Sequence, residues 1–308
     1  MLYVSSPDSP QDHLPVTFFQ YPGGEIGLGP IPDIEIDTIT AILHSPESRE
    51  ALGQLKDALD RRGRRDIHLH MPYTPYARQD RAVPGVPANE SLAAKFFANY
   101  INGMNFKTVW IADPHSDVTP ALIEGVRVIP RNVFMTHVFN HLGRLQYDRG
   151  DMILLASDAG ALKSLTPISR EFGIGTIITA EKKRDMATGK ISHTLVHEAQ
   201  KAEGKHVIVP DDICDGGRTF IELAQALRAE VQPASMTLYV THGIFSKGIQ
   251  CILEHFDNVF SPYPTPTYED MEGGAGWGQV STNSYIVDHE WVARDPVHHT
   301  KALTILSK

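Results

Sequence analysis

The chain has 308 residues, 42% of them hydrophobic, and by the usual domain size this predicts two domains of about 150 residues each. A formal net charge of -9 excludes a global positive field that would hold nucleic acid or an anionic membrane, so any phosphate recognition must be local. The sequence shows no signal-peptide pattern and no apolar stretch long enough to span a membrane. Its only cysteines are Cys214 and Cys251, which are too few for a disulfide framework. We therefore expect a cytoplasmic protein.

Short apolar runs rich in β-branched residues alternate with segments of helical period along the first half of the chain. Strands are predicted at residues 38–43, 67–71 and 108–112, and helices at residues 46–62 and 89–102. This alternation is typical of βαβ units around a mainly parallel sheet.

The second half repeats the pattern. Strands are predicted at residues 152–156, 175–179, 206–210 and 236–240, and helices at residues 159–172 and 220–230. The expected fold class is α/β with two similar domains, residues 1–148 and 149–308, divided near residues 146–150. The segment from about 261 to 282 is rich in Pro and Gly and is predicted to be a long surface loop.

A candidate phosphate site follows the apolar run 207–210. Residues 211–219 read DDICDGGRT and lead into an amphipathic helix. Gly216 and Gly217 would let backbone N–H groups approach a phosphate at the positive end of that helix. The aspartates would repel phosphate, so we expect them to accept hydrogen bonds from sugar hydroxyls, with Mg²⁺ easing the repulsion. The alternative is an ordinary acidic turn between a strand and a helix.

The 211–219 segment resembles the phosphoribosyl-diphosphate motif of type I phosphoribosyltransferases and ribose-phosphate pyrophosphokinases. The resemblance implies that Asp211, Asp212, Asp215, Gly216, Gly217, Arg218 and Thr219 bind the sugar phosphate. The family usually has small residues where this chain has Arg218, which adds a cation and five donors. The 5′ substituent of the sugar is therefore left open.

Four other segments resemble pyrophosphokinase segments, in the family's order. Residues 71–81 (MPYTPYARQDR) resemble the ATP-binding segment, which implies that Arg78, Gln79 and Asp80 contact ATP. Residues 21–26 (YPGGEI) resemble the adenine-contacting element, with Tyr21 and Glu25 in the matching places and Gly23 where a polar residue is usual. Residues 113–117 (DPHSD) resemble the pyrophosphate loop, where His115 would be a magnesium ligand or a catalytic polar group. Residues 156–163 supply Asp158 as a second metal-associated carboxylate.

A basic cluster stands at residues 181–185 (EKKRD), where the family carries its catalytic loop. The resemblance implies that Lys182 and Arg184 stabilise the transferring diphosphate, although the register between Lys182 and Lys183 is open. Considered without the resemblance, such a run is more often a solvated hairpin. Residues 241–246 (THGIFS) also resemble a family segment, near the active site and oligomer contacts. Residues 81–87 lack the basic residues of allosterically regulated members.

The resemblance covers about residues 18 to 260 and identifies the chain as a divergent member of the ribose-phosphate pyrophosphokinase family. It implies two α/β domains of phosphoribosyltransferase type I. It also implies Mg²⁺-dependent transfer of the β,γ-diphosphate of ATP to the 1-hydroxyl of ribose 5-phosphate, for nucleotide or NAD biosynthesis. The expected assembly is a homo-oligomer of dimers, up to a hexamer, with Tyr21 acting on a neighbouring subunit's adenine.

Three alternatives stay open at this stage. The acceptor could be a larger 5′-substituted ribose such as ADP-ribose, which would make use of Arg218. The chain could be a catalytically silent pyrophosphokinase-associated regulatory protein. It could also be a transferase that consumes phosphoribosyl diphosphate, but such an enzyme would have a base-binding hood and no Arg-Gln-Asp segment.

Overall fold

The computed structural model describes residues 1–9, 13–81, 91–144, 147–184, 191–264, 285–286 and 304–307. Within these ranges the chain forms two compact units, the first ending at Pro130 and the second beginning at Arg131. The domain boundary predicted after residue 148 lies beyond the helix that opens the second unit. No helix within these ranges has the length and apolar character needed to cross a membrane.

The first unit contains a six-stranded sheet with order β2-β1-β5-β6-β7-β8, in which β5 to β8 are parallel and β1 pairs antiparallel with both β2 and β5. A separate antiparallel hairpin joins β3 to β4. The elements are β1 Leu2–Ser5, β2 Leu14–Val16, β3 Phe18–Gln20, β4 Ile26–Leu28, β5 Thr38–Ala41, α1 Pro46–Arg61, β6 His68–His70, α2 Ala93–Asn102, β7 Thr108–Ala112, α3 Val118–Leu122 and β8 Val126–Ile129.

Helix α1 shows why the first unit folds as it does. Ser45 caps its first turn by accepting a hydrogen bond from the Ser48 amide, and Pro46 occupies the first helical position, where its missing N–H costs nothing. Leu52, Leu55 and Leu59 recur at helical spacing and are at most 1% exposed. They join the core that also covers the strands of the sheet.

The second unit is built around a larger sheet with order β11-β10-β9-β12-β13-β14-β17-β16. Strands β10, β9, β12, β13 and β14 are parallel to their neighbours in that order, and antiparallel pairs close both edges. The elements are α4 Arg131–Arg144, β9 Met152–Ala156, α5 Ala159–Phe172, β10 Ile177–Arg184, β11 Ile191–His197, β12 His206–Cys214, α6 Arg218–Glu230, β13 Ser235–Gly243, α7 Gln250–Leu253, β14 Asn258–Ser261, β15 Tyr263–Pro264, β16 Tyr285–Ile286 and β17 Thr304–Ser307.

The predicted α/β class with mainly parallel sheets is confirmed, and several boundaries differ from expectation, of which three bear on the predicted site. Strand β12 continues through Asp211 to Cys214 because this stretch pairs with residues 240–243 of β13. Helix α6 begins at Arg218 rather than Phe220. Strand β10 continues to Arg184, where the sequence predicted a loop. Residues 82–87, 89–90, 185 and 265–282, which carried sequence predictions, lie outside the described residues.

Candidate functional site

Three parallel strands of the second unit bring the predicted sugar-binding residues to one edge of the sheet. Strand β12 lies between β9 and β13 and pairs in parallel with both. The chain that follows the carboxyl end of each strand therefore emerges at the same edge, where ligands of open parallel sheets bind. Ser157 follows β9, Asp211 lies near the end of β12, and Gly243 ends β13.

Ser157 and Asp211 are joined across this edge. The Ser157 hydroxyl donates to Asp211 Oδ2 at 2.7 Å, and the Asp212 amide donates to Asp211 Oδ1 at 2.9 Å. Burial and then the Asp212 carboxyl raise the pKa of Asp211 to about 7, although Arg131 and the Ser157 hydrogen bond act in the opposite direction. The carboxyl that would receive a sugar hydroxyl is thus fixed in place and sensitive to pH near neutrality.

The turn after β12 requires glycine at one position. Gly217 has φ +76°, and a Cβ added there would meet Ile252 Cγ1 at 2.9 Å. Gly217 is also the N-cap of α6, and as a glycine it has no side chain to accept a hydrogen bond from the N–H groups of the first turn. Since the first turn of a helix leaves N–H groups without intrahelical partners, this end of α6 has the character of an anion site.

The charged residues of the turn have local partners. Arg218 Nε donates to Glu222 Oε1 at 2.6 Å, one helical turn along α6, while the Arg218 side chain stays 76% exposed. Ser246 Oγ donates to Asp215 Oδ1 at 2.6 Å. Cys214 is fully buried at the end of β12, and burial raises the pKa of its thiol to about 12. Cys214 therefore packs in the core and is not a nucleophile.

Asp158 has a structural role at the start of α5, and its role at a metal ion stays a prediction. It is the N-cap of α5, and its Oδ1 accepts a hydrogen bond from the Ala161 amide at 2.9 Å. Gly173, with φ +70°, ends the same helix. Asp158 is exposed to solvent.

The basic cluster lies in an antiparallel ribbon. The backbones of Lys182 and Arg184 belong to β10, opposite Thr194 and Ile191 of β11. The pairing shifts register between Lys183 and Arg184, which is a bulge or similar irregularity. The backbone of the cluster thus pairs as a strand, and the catalytic role of Lys182 and Arg184 stays a prediction.

In the first unit, Asp80 links two predicted site segments. Its carboxylate is 2% exposed, accepts a hydrogen bond from Ser116 and pairs with Arg81 Nε at 3.2 Å. Burial alone would raise the pKa of Asp80, but the hydrogen bonds from Ser116 and Arg81 and the nearby positive charge hold it below its usual value. Asp80 thereby ties the 71–81 segment to the 113–117 loop.

The remaining predicted groups of these two segments face outward. Arg78, Gln79 and His115 are exposed. Segment 71–81 is held close to the sheet by the Ala112 amide, which donates to the Pro72 carbonyl at 3.1 Å, and the Gln79 carbonyl accepts from the Ala94 amide of α2 at 3.2 Å. Exposed donors on a fixed backbone are the arrangement expected of a polyphosphate-binding surface.

Tyr21 and Glu25 lie on the β3–β4 hairpin. The Tyr21 amide donates to the Glu25 carbonyl at 2.8 Å, and both side chains are exposed. The Glu25 carboxylate covers Gly23, where an added Cβ would stand 2.6 Å from Glu25 Oε2. A larger polar residue at position 23, as the family usually has, would displace this carboxylate.

The described residues contain no group of three or more His, Cys, Asp or Glu side chains placed to hold a metal ion. Mg²⁺ commonly binds through one or two carboxylates together with substrate phosphates and water. The exposed carboxylate of Asp158 fits such a role, whereas the His115 imidazole suits other metals better and fits a polar contact.

Sequence reasoning did not identify Ser116, Ser157 or Ser246 as site residues. Each stands inside a motif segment, and each bonds an aspartate of another segment: Ser116 to Asp80, Ser157 to Asp211, and Ser246 to Asp215. The only sequence feature that could have pointed to these serines is their position inside the motif segments. Their partners depend on which strands are neighbours, and a linear pattern does not contain that information.

Comparison with known proteins finds similarity to a phosphoribosyl transferase domain and to ribose-phosphate pyrophosphokinases. Residues 137–260 match the phosphoribosyl transferase domain. The ribose-phosphate pyrophosphokinase of Maricaulis maris is 29% identical over 195 residues, which is 63% of this chain and 59% of the relative. That of Thermococcus kodakarensis is 26% identical over 260 residues, covering 82% of this chain and 87% of the relative.

The fold has a counterpart among solved structures. The phosphoribosylpyrophosphate synthetase of Mycobacterium smegmatis superposes with a TM-score of 0.64 at 20% identity, covering 79% of this chain and 77% of that protein. The match to the Maricaulis maris relative spans less than two thirds of that relative's length.

Proposed function

The chain belongs to the ribose-phosphate pyrophosphokinase family, and on that premise we propose that it transfers the β,γ-diphosphate of ATP to the 1-hydroxyl of ribose 5-phosphate. The hydroxyl oxygen forms a bond to the β-phosphorus, and the bond from this phosphorus to the α,β-bridging oxygen breaks. AMP leaves with that oxygen, and the hydroxyl proton passes to water. The products are phosphoribosyl diphosphate and AMP.

The observation that carries this proposal is the Asp80–Ser116 hydrogen bond in the first unit. It joins the Arg-Gln-Asp segment to the Asp-Pro-His loop, and a transferase that consumes phosphoribosyl diphosphate would have no use for that pair. In the proposed enzyme, Arg78, Gln79 and His115 contact ATP, Asp80 holds their segment in position, and Tyr21 and Glu25 contact adenine.

The second unit would bind the acceptor. Asp211 and Asp212 accept hydrogen bonds from the sugar hydroxyls, and the turn at residues 215–219 receives the 5′-phosphate at the start of α6. Lys182 and Arg184 stabilise charge on the transferring diphosphate. Mg²⁺, held by the polyphosphate and Asp158, would supply further positive charge to the phosphates.

The test is to incubate the purified protein with ATP, Mg²⁺ and ribose 5-phosphate and to measure AMP and phosphoribosyl diphosphate together. Equal amounts of both products support the proposal. Lys182→Met should lower kcat by about 10²-fold or more, the scale of losing a group that stabilises transition-state charge. Lys183→Met is the matched control that also resolves the register of the basic cluster. A wild type that binds ATP and releases no AMP would support the silent regulatory alternative.

A second acceptor is favoured by one observation, the exposure of Arg218 at the turn. A guanidinium in the first turn of a helix is disfavoured by the helix dipole, so its placement there suits an anionic ligand. A 5′-substituted ribose such as ADP-ribose would bring a second phosphate to it. Comparing AMP release with ribose 5-phosphate and ADP-ribose distinguishes the two acceptors.

The proposed enzyme acts in the cytoplasm as a homo-oligomer built from dimers, in which Tyr21 of one subunit serves a neighbouring one. Sedimentation of the protein at several concentrations tests the assembly. A monomer with full activity would exclude the role of Tyr21 in a neighbouring subunit.

A further inference from the structure

A lysine outside the recognised motifs lies directly against the phosphate turn. Strands β12 and β13 are parallel and end together, with Cys214 opposite Gly243. The chain that follows β13, residues 244–248, therefore runs beside the turn at residues 215–219. We call residues 244–248 the 244–248 loop.

Backbone hydrogen bonds fix the 244–248 loop to the end of β12. The amides of Ile244 and Phe245 donate to the Cys214 carbonyl at 2.8 and 3.1 Å, and the Ser246 amide donates to the Asp215 carbonyl at 3.2 Å. The Ser246 hydroxyl adds its bond to the Asp215 carboxylate at 2.6 Å. The loop and the phosphate turn thus form one connected structure.

Packing holds the loop in a conformation that local preference would disfavour. Phe245 has φ +47°, in the left-handed region that non-glycine residues rarely adopt, and its side chain is 1% exposed. Its ring lies so close over Gly243 that an added Cβ there would stand 2.1 Å from Phe245 Cε2. Burial of this ring anchors the loop, so the next residues have a defined place.

Lys247 extends along Gly216 of the phosphate turn. From the position that a Cβ would take on Gly216, Lys247 Cδ is 3.4 Å away, Cε is 3.5 Å away and Cγ is 3.7 Å away. The ammonium is one bond beyond Cε. Lys247 is exposed. Arg218 is engaged by Glu222 at 2.6 Å.

We propose that Lys247 is a specificity-determining residue whose ammonium contacts the 5′-phosphate of the acceptor. The backbone N–H groups of the turn and the start of α6 provide directional donors, and Lys247 provides a mobile point charge beside them. A phosphate carries a charge of about -1.5 to -2 at neutral pH, so a cation at this place favours phosphorylated over unphosphorylated sugar. The inference rests on the proposed function, because it concerns the acceptor of that reaction.

The test uses Lys247→Met, which keeps the apolar stem against Gly216 and removes only the charge. Titration calorimetry of the full-length protein with ribose 5-phosphate should show binding about 10-fold weaker or more, the scale of one lost charge-assisted contact. Lys247→Arg should restore most of the affinity. Lys201→Met, which removes an exposed lysine on the surface of the same unit, is the control and should bind like the wild type.

In the assay, Lys247→Met should raise KM for ribose 5-phosphate and leave kcat and the KM for ATP within about 2-fold, since a group that binds equally in ground and transition states changes KM alone. Any binding of unphosphorylated ribose should be unchanged by the substitution. Equal affinity of Lys247→Met and wild type for ribose 5-phosphate would overturn the inference. Wild-type binding without AMP release would overturn the proposed reaction instead, and calorimetry would still test Lys247.

Discussion

Ser157, at the end of β9, donates a hydrogen bond of 2.7 Å to Asp211, near the end of β12, although the two residues are 54 positions apart in the chain. The bond exists because β9 and β12 are neighbours in the sheet and run in the same direction. It holds the first carboxyl of the acidic pair in the orientation that a sugar hydroxyl would meet.

Replacing Ser157 with Ala should therefore weaken acceptor binding. The lost hydrogen bond to a charged group is worth about 1.5–3 kcal/mol, so we expect KM for ribose 5-phosphate to rise about 10-fold or more. The bond also opposes the raised pKa of Asp211, so the midpoint of the pH dependence of KM should move to higher pH in the variant.

The control for Ser157→Ala is Ser169→Ala. Ser169 Oγ donates to the Ile174 carbonyl at 2.6 Å at the other end of α5, so the substitution removes a hydroxyl hydrogen bond from the same unit. It should leave the pH dependence of KM unchanged. The same pH midpoint in Ser157→Ala and wild type would contradict the positioning role.

The free energy of unfolding should decrease as pH rises, because Asp211 loses its proton. Its folded-state pKa is raised to about 7, chiefly by burial, whereas in the unfolded chain it is near its ordinary value of 3.8. The folded state therefore holds the proton more tightly, and the stabilisation is full below about pH 4 and is lost as pH rises through about 7.

Asp211→Asn is neutral at every pH, so its free energy of unfolding should gain on that of wild type between about pH 4 and 7, by at most about 1.4 kcal/mol per pH unit. Urea unfolding at each pH measures the difference. Asp151→Asn is the control, since the hydrogen bond from Lys205 lowers the pKa of Asp151 and it titrates only below this range. Parallel curves for Asp211→Asn and wild type would show that the Asp211 titration has been assigned wrongly.

The sequence predicted the elements that carry clear local signals, such as apolar runs and helix-capping residues. The strands Thr108–Ala112 and Met152–Ala156 and the helix Ala159–Phe172 have the predicted bounds. A continuous apolar run marks each of these strands, and Asp158 and Gly173 mark the two ends of the helix. Strands β1 to β4, of three or four residues, were not predicted, because such short runs carry no readable period, whereas the equally short β5 and β6 lie within the longer predicted runs 38–43 and 67–71.

The candidate site was predictable in its segments and not in its internal contacts. The motif in residues 211–219 marked the aspartates and glycines, but β12 continues through Asp211 because pairing with β13 outweighs the poor strand preference of two acids. Lys247 gave no signal in the sequence. Its relation to Gly216 follows from the parallel ends of β12 and β13, which only the sheet order reveals.

Asp80→Asn should destabilise the first unit. Asp80 is buried with bonds from Ser116 and Arg81, and weakening a buried charged network costs about 1–3 kcal/mol of unfolding free energy. The KM for ATP should also rise, because the exposed Arg78 and Gln79 lose their support. Ser116→Ala should give a smaller change in the same direction.

Asp57→Asn is the matched control for Asp80→Asn. Asp57 pairs with Arg61 on the surface of α1, with 62% of the Asp57 side chain exposed, and such pairs contribute about 0.2–1 kcal/mol. If urea unfolding shows that Asp80→Asn loses no more free energy of unfolding than Asp57→Asn, the buried link between the two segments does not stabilise the protein.

Adjacent glycines of the phosphate turn should respond differently to alanine. Gly217→Ala forces a Cβ into the left-handed region and within 2.9 Å of Ile252, so we expect a loss of about 1–3 kcal/mol and a higher KM for the acceptor. In Gly216→Ala the nearest atom, Lys247 Cδ, is at ordinary contact distance of 3.4 Å, so stability should change by less than about 0.5 kcal/mol. Equal losses in the two variants would mean that the turn does not have this geometry.

The proposed reaction makes phosphoribosyl diphosphate and AMP from ATP and a ribose phosphate. The most direct measurement is a simultaneous assay of AMP and of the sugar 1-diphosphate after incubation with ATP, Mg²⁺ and ribose 5-phosphate. We predict that the two products form in equal amounts, only when ribose 5-phosphate is present, and that Lys182→Met forms them far more slowly. If the protein binds both substrates and forms neither AMP nor the sugar diphosphate, it does not catalyse this reaction.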